Sequence, residues 1–422
     1  MRARIVLVAL AVATFFYVTV ETLPIGLLPQ IAEGVHVPDS AVGLLVTAYG
    51  LVVVIATIPL TRLTHRWSRR RLLGALILTA AVATTISALA PAYPALLAGR
   101  VLAALSQALF WAVVTPAAAG LFPAAARGRA IAILYAGSSA GPLVGVPAGA
   151  WLGQQAGWRV PFLALAGVGV AIAAVIIMLM PHVPPGASHA DRGSEPDRVR
   201  YRTLVVATAI TVTGAFTAIT VITPFLTGVT GVSDTSISPI LLIRGLAGLA
   251  GVLAAGFVPE RRTWHALTAL TALEAAALAA LFAFAATPPL AIAAIAAAST
   301  ALSGIVTVMG TRVLQVAPGT TDMAAAGTST AFNVGITSGA LLASLMLTSA
   351  LRESALLAAA FAAAGVATLL IEPRLAARNG PPTHVSAPGA DPRAPYPSRQ
   401  RSVEPRARGL ARAGALTPRR ET

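Results

Sequence analysis

Long apolar runs alternate with short polar or Pro- and Gly-containing breaks along most of the chain. A helix needs about 20 apolar residues to cross a lipid bilayer, and each run approaches or exceeds that length. The runs lie at about residues 5–31, 41–61, 72–90, 94–119, 130–153, 159–180, 203–227, 236–258, 264–286, 290–312, 323–348 and 354–371. This pattern predicts an all-α integral membrane protein with twelve transmembrane helices.

The polar segments divide the chain into four parts. Residues 181–202 are the longest polar interruption before the C-terminal end, and they fall between the sixth and seventh runs. We therefore predict a six-helix bundle at 1–180, a cytoplasmic central loop at 181–202 and a second six-helix bundle at 203–372. Residues 373–422 are rich in Pro, Arg, Ser and Gly, a composition that cannot bury enough apolar surface to fold. They are predicted to form a disordered, basic cytoplasmic tail.

The two predicted bundles resemble each other in sequence. When the chain is shifted by 195 residues, identical residues coincide: Pro29 with Pro224, Asp39 with Asp234, and Arg66 with Arg261. These polar and Pro coincidences carry more weight than apolar ones, which match by chance in so apolar a chain. Two pseudo-symmetric six-helix repeats around a central pathway are typical of secondary transporters.

The composition excludes a water-soluble enzyme. Hydrophobic residues make up 56% of the chain and charged residues only 11%, whereas soluble domains carry about 25% charged residues. The sequence contains no Cys, no metal-ligand spacing and no nucleotide-binding loop, so we expect neither an enzyme nor a cofactor. A pump driven by ATP would need a nucleotide-binding domain, so the predicted energy source is an ion gradient, or transport is downhill.

The net charge of +15 indicates membrane topology rather than nucleic-acid binding. All 30 basic residues are Arg, and most lie in the tail and in loops on one side of the predicted membrane. If the N-terminus is inside, only Arg159 and Arg352 fall in loops on the outside. The chain is therefore predicted to lie in the cell inner (plasma) membrane with both termini cytoplasmic.

Four ionisable residues fall inside predicted spans: Glu21, Arg100, Arg244 and Glu274. Each costs roughly 2.5–3.5 kcal/mol at the centre of a span, so each needs a partner, a water-filled cavity or a function. A carboxyl group in a cavity can take up a proton from one side of a membrane and release it to the other. We assign Glu21 and Glu274 to proton coupling and Arg244 to the substrate pathway, and we expect a functional role for Arg100.

Each of these assignments has a structural alternative. Glu21 is alternatively held in a static pair or a hydrogen bond at the end of a span. For Arg100 the alternative is snorkelling to the outer interface, and for Glu274 it is contact with a neighbouring helix or a local water defect. Arg244 either contacts an anion or substrate or serves as the counter-charge of a carboxylate.

Glycines recur at every fourth position in the fifth predicted span: Gly137, Gly141, Gly145 and Gly149. This spacing puts them on one helix face, where another backbone can approach closely. Pro142 and Pro147 lie in the same stretch, where they remove two backbone donors and bend the helix. The stretch is either a static packing seam or a bend that seals one side of a pathway.

Five short segments carry a recognisable set of motifs. In the first span, Glu21 precedes Gly26-Leu27-Leu28-Pro29-Gln30-Ile31-Ala32. The loop after the second span contains Leu63, Arg66, Arg69 and Arg70, and the fourth span contains Leu96, Arg100, Ala103, Ala104 and Ser106. The fifth span contains Gly137, Gly141, Pro142 and Gly145, and the eleventh contains Ala331-Phe332-Asn333-Val334-Gly335-Ile336. Through these motifs, residues 5–371 resemble the major facilitator superfamily, in particular its twelve-span drug:H+ antiporters of the sugar-efflux and chloramphenicol-resistance type.

The resemblance implies the major facilitator fold, proton coupling through Arg100, and function as a monomer. In that family the Gly–Pro motif of the fifth span accompanies export rather than uptake. The resemblance also suggests that Asn333 faces the pathway, and we assign Tyr17 and Gln107 to the substrate pathway with it. The loop motif departs from the family pattern, since two Gly and one Asp are replaced, but its cationic character is kept.

The first hypothesis is a proton-coupled exporter of small, largely apolar organic molecules, which works by rocking of the two bundles around a midplane site. Its partners would be a small-molecule substrate, protons and membrane lipid, with no nucleic acid. A second hypothesis is export of sugars or other metabolites, which expects aromatic platforms, although only 5% of the chain is aromatic. A third is a membrane sensor or scaffold without net transport, which a folded output domain would favour.

Overall fold

The described part of the protein, residues 2–181, 192–346 and 350–378 of a computed structural model, is almost entirely helical. The helices are α1 (Arg2–Gly26), α2 (Leu28–Gly34), α3 (Asp39–Thr64), α4 (Arg69–Ala88), α5 (Tyr93–Gly120), α6 (Ala124–Ala140), α7 (Val146–Ala156), α8 (Arg159–Leu179), α9 (Arg198–Thr220), α10 (Ile222–Gly228), α11 (Asp234–Ala255), α12 (Thr263–Ala283), α13 (Pro288–Val316), α14 (Thr321–Met346) and α15 (Leu351–Arg378). A π-helical stretch, Gly141–Gly145, joins α6 to α7 without a break. Within these ranges, twelve helical segments are long and apolar enough to cross a membrane, and they coincide with the twelve predicted runs.

The seventh span begins earlier than the hydrophobic pattern predicted. α9 starts at Arg198, inside the predicted central loop, because Asp197 caps it. The Asp197 Oδ1 atom accepts hydrogen bonds from the backbone N–H groups of Val199 and Arg200, at 2.8 and 3.0 Å. Capping by Asp satisfies N–H groups that the first turn of a helix otherwise leaves unpaired.

The last span ends later than predicted. α15 continues to Arg378, past the predicted start of the tail at residue 373. A polar residue near this end, Glu372, is buried and accepts a hydrogen bond of 3.4 Å from Arg312, so the polar sequence here still packs against the bundle. Residues 182–191 and 379–422 lie outside the described residues, so the rest of the central loop and of the disordered tail stays a prediction.

Two bundles of six spans are related by pseudo-symmetry. α3 begins at Asp39 and α11 at Asp234, the same pair that the 195-residue shift relates. The first span of each bundle is interrupted at the corresponding place, after Gly26 and after Thr220, and continues as a short helix. The predicted fold class, twelve transmembrane helices in two pseudo-symmetric six-helix bundles, is confirmed.

The bundles meet through helices of both halves. α14 packs against α3 and α5 of the first bundle, and α6 packs against α11 and α13 of the second. Inside the first bundle, α1 packs against α6 and α8 around an apolar core that includes Leu10, Leu73 and Phe110. Large apolar side chains such as Ile55 and Leu345 are exposed on the outer surface, as expected where helices face lipid.

Candidate functional site

The first bundle contains a polar network at the junction of α1 and α5, with Arg100 at its centre. The Arg100 side chain is 1% exposed. Its Nη1 atom donates to the carbonyl oxygen of Val20 at 2.6 Å, and Nη2 donates to the carbonyl oxygen of Glu21 at 2.9 Å. The guanidinium therefore binds the backbone of α1. The two carbonyl groups compensate part of the free-energy cost of burying its charge.

The Glu21 carboxylate is held by an amide instead of by the nearby guanidinium. Gln107 Nε2 donates to Glu21 Oε2 at 2.8 Å. Among the described residues, neither Glu21 nor Arg100 has an ion-pair partner within 4.0 Å. The Glu21 side chain is half-buried, whereas Gln107 is almost fully buried.

Tyr49 of α3 completes the network. Its hydroxyl group donates to Gln107 Oε1 at 2.8 Å, so the amide of Gln107 is oriented with its N–H groups towards Glu21. The Arg100 guanidinium lies over the Tyr49 ring, with Cζ 4.4 Å from the ring centroid, a cation–π arrangement. Three helices thus contribute to one closed chain of contacts.

This arrangement can respond to protonation of Glu21. An amide N–H donates to a neutral carboxyl group and to a carboxylate, but the bond is stronger when the acceptor is charged. A change of charge on Glu21 therefore alters the strength of its hydrogen bond to Gln107 of α5. Arg100 keeps α1 and α5 joined through the backbone in both states. Tyr49 was not among the residues predicted for the site, although its position corresponds to Arg244 under the 195-residue shift.

Tyr17 lies in the core beside this network. Its hydroxyl group is 2.6 Å from Ser106 Oγ, and Ser106 in turn donates to the carbonyl oxygen of Leu76 at 2.7 Å. The Tyr17 ring stacks on Phe110 with 4.1 Å between centroids. Since Tyr17 is fully buried by these contacts, its assignment to the substrate pathway stays a prediction.

The predicted glycine face packs closely on α1. A Cβ atom at Gly137 would overlap the carbonyl oxygen of Ala11, and one at Gly145 would overlap the Thr19 side chain. Gly141, Gly149 and neighbouring positions follow the same side of α1, and Pro142 lies in the π-helical stretch. This close packing fits the seam interpretation, and it positions the part of α1 that carries Glu21. The helix continues through the Pro142–Pro147 stretch, with a π-helical turn at Gly141–Gly145 and no break.

Glu274 and Arg244 lie apart from this network, in the second bundle. Both line a small cavity between α9, α10, α11, α12 and α13. Glu274 is 1% exposed, and its Oε2 atom accepts no hydrogen bond from the described residues. The structure thus brings together two predicted residues, but at a site separate from Glu21 and Arg100.

Asn333 is half-buried on α14 and joins neither group. Its Nδ2 atom donates to the carbonyl oxygen of Ser329, one turn earlier in the same helix, at 2.9 Å. The neighbouring Phe332 packs edge to face against Phe216 of α9, with 6.3 Å between ring centroids. The assignment of Asn333 to the substrate pathway stays a prediction.

The residues of the motif after the second span lie in different environments. Arg69, the first residue of α4, donates to Asp322 Oδ1 at 2.8 Å and to Thr321 Oγ1 at 3.4 Å. This ion pair joins the first bundle to the first turn of α14, so the motif makes an inter-bundle charge contact even without its usual Asp. Arg70 borders a groove on α4, while Leu63 and Arg66 are exposed.

The sequence reasoning also missed a charged cluster at the end of α13. Arg312 is 8% exposed and lies 3.4 Å from Glu372 and 3.5 Å from Glu195. It also donates to Gln315 at 3.3 Å. The signal was present, since Arg312 and Glu372 are ionisable residues in the last turns of apolar spans, but their pairing requires the fold.

The fold and these sites describe a polytopic membrane protein built from two six-helix bundles. The family model for the Major Facilitator Superfamily matches residues 10–318. The chain belongs to this superfamily.

Relatives and solved structures agree with this family. Two Mycobacterium tuberculosis proteins, "Chloramphenicol efflux pump MT0201" from strain CDC 1551 / Oshkosh and "Chloramphenicol efflux pump Rv0191" from strain ATCC 25618 / H37Rv, are each 38% identical over 213 residues. The match covers 50% of this chain and 52% of each relative, so the chain spans about half the length of the curated relatives it matches.

Among solved structures, the human organic anion transporter MFSD10 (TETRAN) has a TM-score of 0.72 and 14% identity, covering 87% of this chain and 99% of that one. FucP, a transporter of the same superfamily, in its outward conformation has a TM-score of 0.70 and 14% identity, covering 88% and 99%. At these identities the likeness shows the fold alone.

Proposed function

We propose that this protein exports small organic molecules from the cell in exchange for protons, by alternating access between its two bundles. The observation that carries the proposal is the Glu21–Gln107 hydrogen bond beside a buried guanidinium that binds backbone oxygens. The two relatives are chloramphenicol efflux pumps, which supports export and makes chloramphenicol the first compound to test.

Proton exchange at Glu21 supplies the coupling in this mechanism. When Glu21 is protonated, its bond to Gln107 weakens, and α1 and α5 are joined mainly through Arg100. When Glu21 loses its proton, the carboxylate attracts both the amide and the nearby guanidinium more strongly. Because Tyr49 of α3 orients the same amide, the change reaches a helix that packs against α14 of the other bundle.

The close packing of the glycine face on α1 and the Arg69–Asp322 ion pair have separate roles in the rocking of the two bundles. The close packing of the glycine face on α1 keeps these helices moving as one body. Arg69 and Asp322 join the bundles at the end that the positive-inside rule assigns to the cytoplasm, so this pair holds that end closed. The orientation with cytoplasmic termini in the plasma membrane and the monomeric state are part of this proposal.

Substrate is expected to lie between the bundles, where alternating-access transporters of this architecture bind it. The candidates for contact with it are Gln107, Arg244 and Asn333, together with Tyr17 if the core opens during the cycle. A substrate of largely apolar character fits a chain in which aromatic residues and amides are few.

Growth inhibition in a drug-hypersensitive bacterium tests the proposal. Cells expressing the protein should tolerate chloramphenicol, or another member of a panel of antibiotics, dyes and sugar analogues, better than cells with an empty vector. Glu21→Gln should abolish this protection at equal membrane expression, because it keeps the shape of the side chain but cannot release a proton. Glu33→Gln, in an exposed position of α2, is the matched control and should protect like wild type.

Two results would contradict the proposal. Equal protection by Glu21→Gln, with unchanged pH dependence, would exclude Glu21 as the proton carrier. Absence of protection across the panel, with confirmed membrane insertion, would favour a narrow metabolite exporter or a protein without transport. Deletion of residues 381–422 separates these two, since a transporter should largely keep its function whereas a protein that signals through its tail should not.

A further inference from the structure

A small cavity lies in the second bundle, lined by residues of α9, α10, α11, α12 and α13. Its volume of about 30 Å³ is enough for one or two water molecules. Three of its lining residues are polar: Arg244 on α11, Glu274 on α12 and Ser299 on α13. The remaining walls are formed by Ala, Ile and Leu side chains.

Glu274 is buried there without a partner in the part of the chain that the structure describes. Its side chain is 1% exposed, its Oε2 atom receives no hydrogen bond, and no cation lies within 4.0 Å of it among the described residues. A carboxylate in such surroundings would carry an uncompensated charge, which is far more costly than a neutral carboxyl group. The geometry therefore fits the protonated form of Glu274.

Arg244 is placed to stabilise the other form. It faces the same cavity and has no ion-pair partner within the described ranges. Water in the cavity can bridge a guanidinium and a carboxylate that do not touch directly. Loss of a proton from Glu274 to cavity water would thus leave a carboxylate that Arg244 compensates.

Among the side chains that the structure describes, the other ionisable groups on the surrounding helices do not line this cavity. They lie towards the ends of their helices: Arg198, Arg200, Tyr201 and Arg202 on α9, His265 on α12, Arg312 on α13, and Arg352, Glu353, Glu372 and Arg374 on α15. Arg244 is the charged residue that shares the cavity with Glu274, and it occupies the position that Tyr49 occupies in the first repeat.

We infer that Glu274 is a second proton-binding carboxyl group, with Arg244 as its counter-charge across a water-holding cavity, so that each bundle carries its own proton site. This inference rests on the proposed proton-coupled transport for its role in the cycle. Proton binding at Glu274 itself requires no substrate, so proton binding and proton-coupled transport can be tested separately.

Infrared spectroscopy of the purified full-length protein in lipid nanodiscs tests proton binding directly. In the Glu21→Gln background, the carbonyl stretch of a protonated carboxyl group should be present at neutral pH and shift on exchange into D2O. Adding Glu274→Gln should remove this band, whereas adding Glu353→Gln, an exposed acid on α15, should leave it. Arg244→Gln should make the band persist to more alkaline pH, because the carboxylate loses its counter-charge. The conservative variant Glu274→Asp should retain a titrating band.

A band that is unaffected by Glu274→Gln, or a titration that is unaffected by Arg244→Gln, would overturn the inference. Counting protons per exported molecule in proteoliposomes then tests the role in transport, since Glu274→Gln should move one proton fewer than wild type. If wild type exports but the Glu274 band is absent, the inference fails while the proposed function stands. If the band titrates but wild type exports nothing, the proposed function fails while the proton site stands.

Discussion

Loss of the ion pair between Arg69 and Asp322 should open the end of the protein at which it joins the two bundles. Arg69 is the first residue of α4 and Asp322 lies in the first turn of α14. The helix dipole favours an acid in a first turn and disfavours a base, so Asp322 offsets the unfavourable position of the Arg69 charge. Their side chains are 18% and 25% exposed, and the Nη2 and Oδ1 atoms are 2.8 Å apart.

The size of the effect follows from this partial burial. Hydrogen bonds to charged groups contribute roughly 1.5–3 kcal/mol, whereas fully exposed ion pairs contribute about 0–1 kcal/mol. We therefore expect about 1–2 kcal/mol for this pair. Since 1.4 kcal/mol is a factor of ten, Asp322→Asn should lower the ratio of closed to open molecules by about 5- to 30-fold.

The chain has no Cys, so two introduced cysteines can be spin-labelled without background. Labels at the exposed positions Leu63 and Arg262 report the distance between the bundles by pulsed electron paramagnetic resonance. Asp322→Asn should increase the long-distance population, and the effect should vanish in the Arg69→Gln background. An equal effect of Asp322→Asn in both backgrounds would refute the reasoning, because it would show that the two residues do not act on each other. Arg66→Gln, an exposed substitution in the same loop, should leave the distances unchanged.

Two further predictions concern the packing of α1 and the hold on its backbone. Gly145→Ala should destabilise the protein by about 1–3 kcal/mol, since its Cβ atom would overlap the Thr19 side chain. Gly167→Ala should be tolerated, because its Cβ atom would meet no neighbouring helix within 4 Å. Equal thermal unfolding of the two variants in detergent would contradict the close packing of the glycine face on α1. Arg100→Lys keeps the charge but cannot place two fixed donors on two carbonyl oxygens, so efflux should fall about 10-fold or more. Efflux by Arg100→Lys at the wild-type rate, at equal expression, would show that the fork geometry of Arg100 is not needed.

Some features of the site were within reach of sequence reasoning. Glu21 and Arg100 stand out because ionised groups in apolar spans need compensation, and the glycine face is visible as a period of four. The partners were not predictable in this way. Whether Arg100 binds the Glu21 carboxylate or the backbone beside it depends on the depth and rotation of α1 relative to α5, which no local pattern encodes. The contact of Tyr49 with both Arg100 and Gln107 likewise depends on where α3 packs.

The twelve spans, their division into two repeats and the presence of charges that a membrane does not tolerate without compensation can all be predicted from the amino-acid sequence. These properties follow from local composition, because the bilayer requires each span to be apolar and to satisfy its own backbone hydrogen bonds. Three contacts emerge from the folded arrangement instead: Gln107 binds Glu21, Glu274 shares a cavity with Arg244, and Arg69 pairs with Asp322. Each of these contacts joins residues on different helices, so each depends on how the helices pack rather than on the order of residues along any one of them.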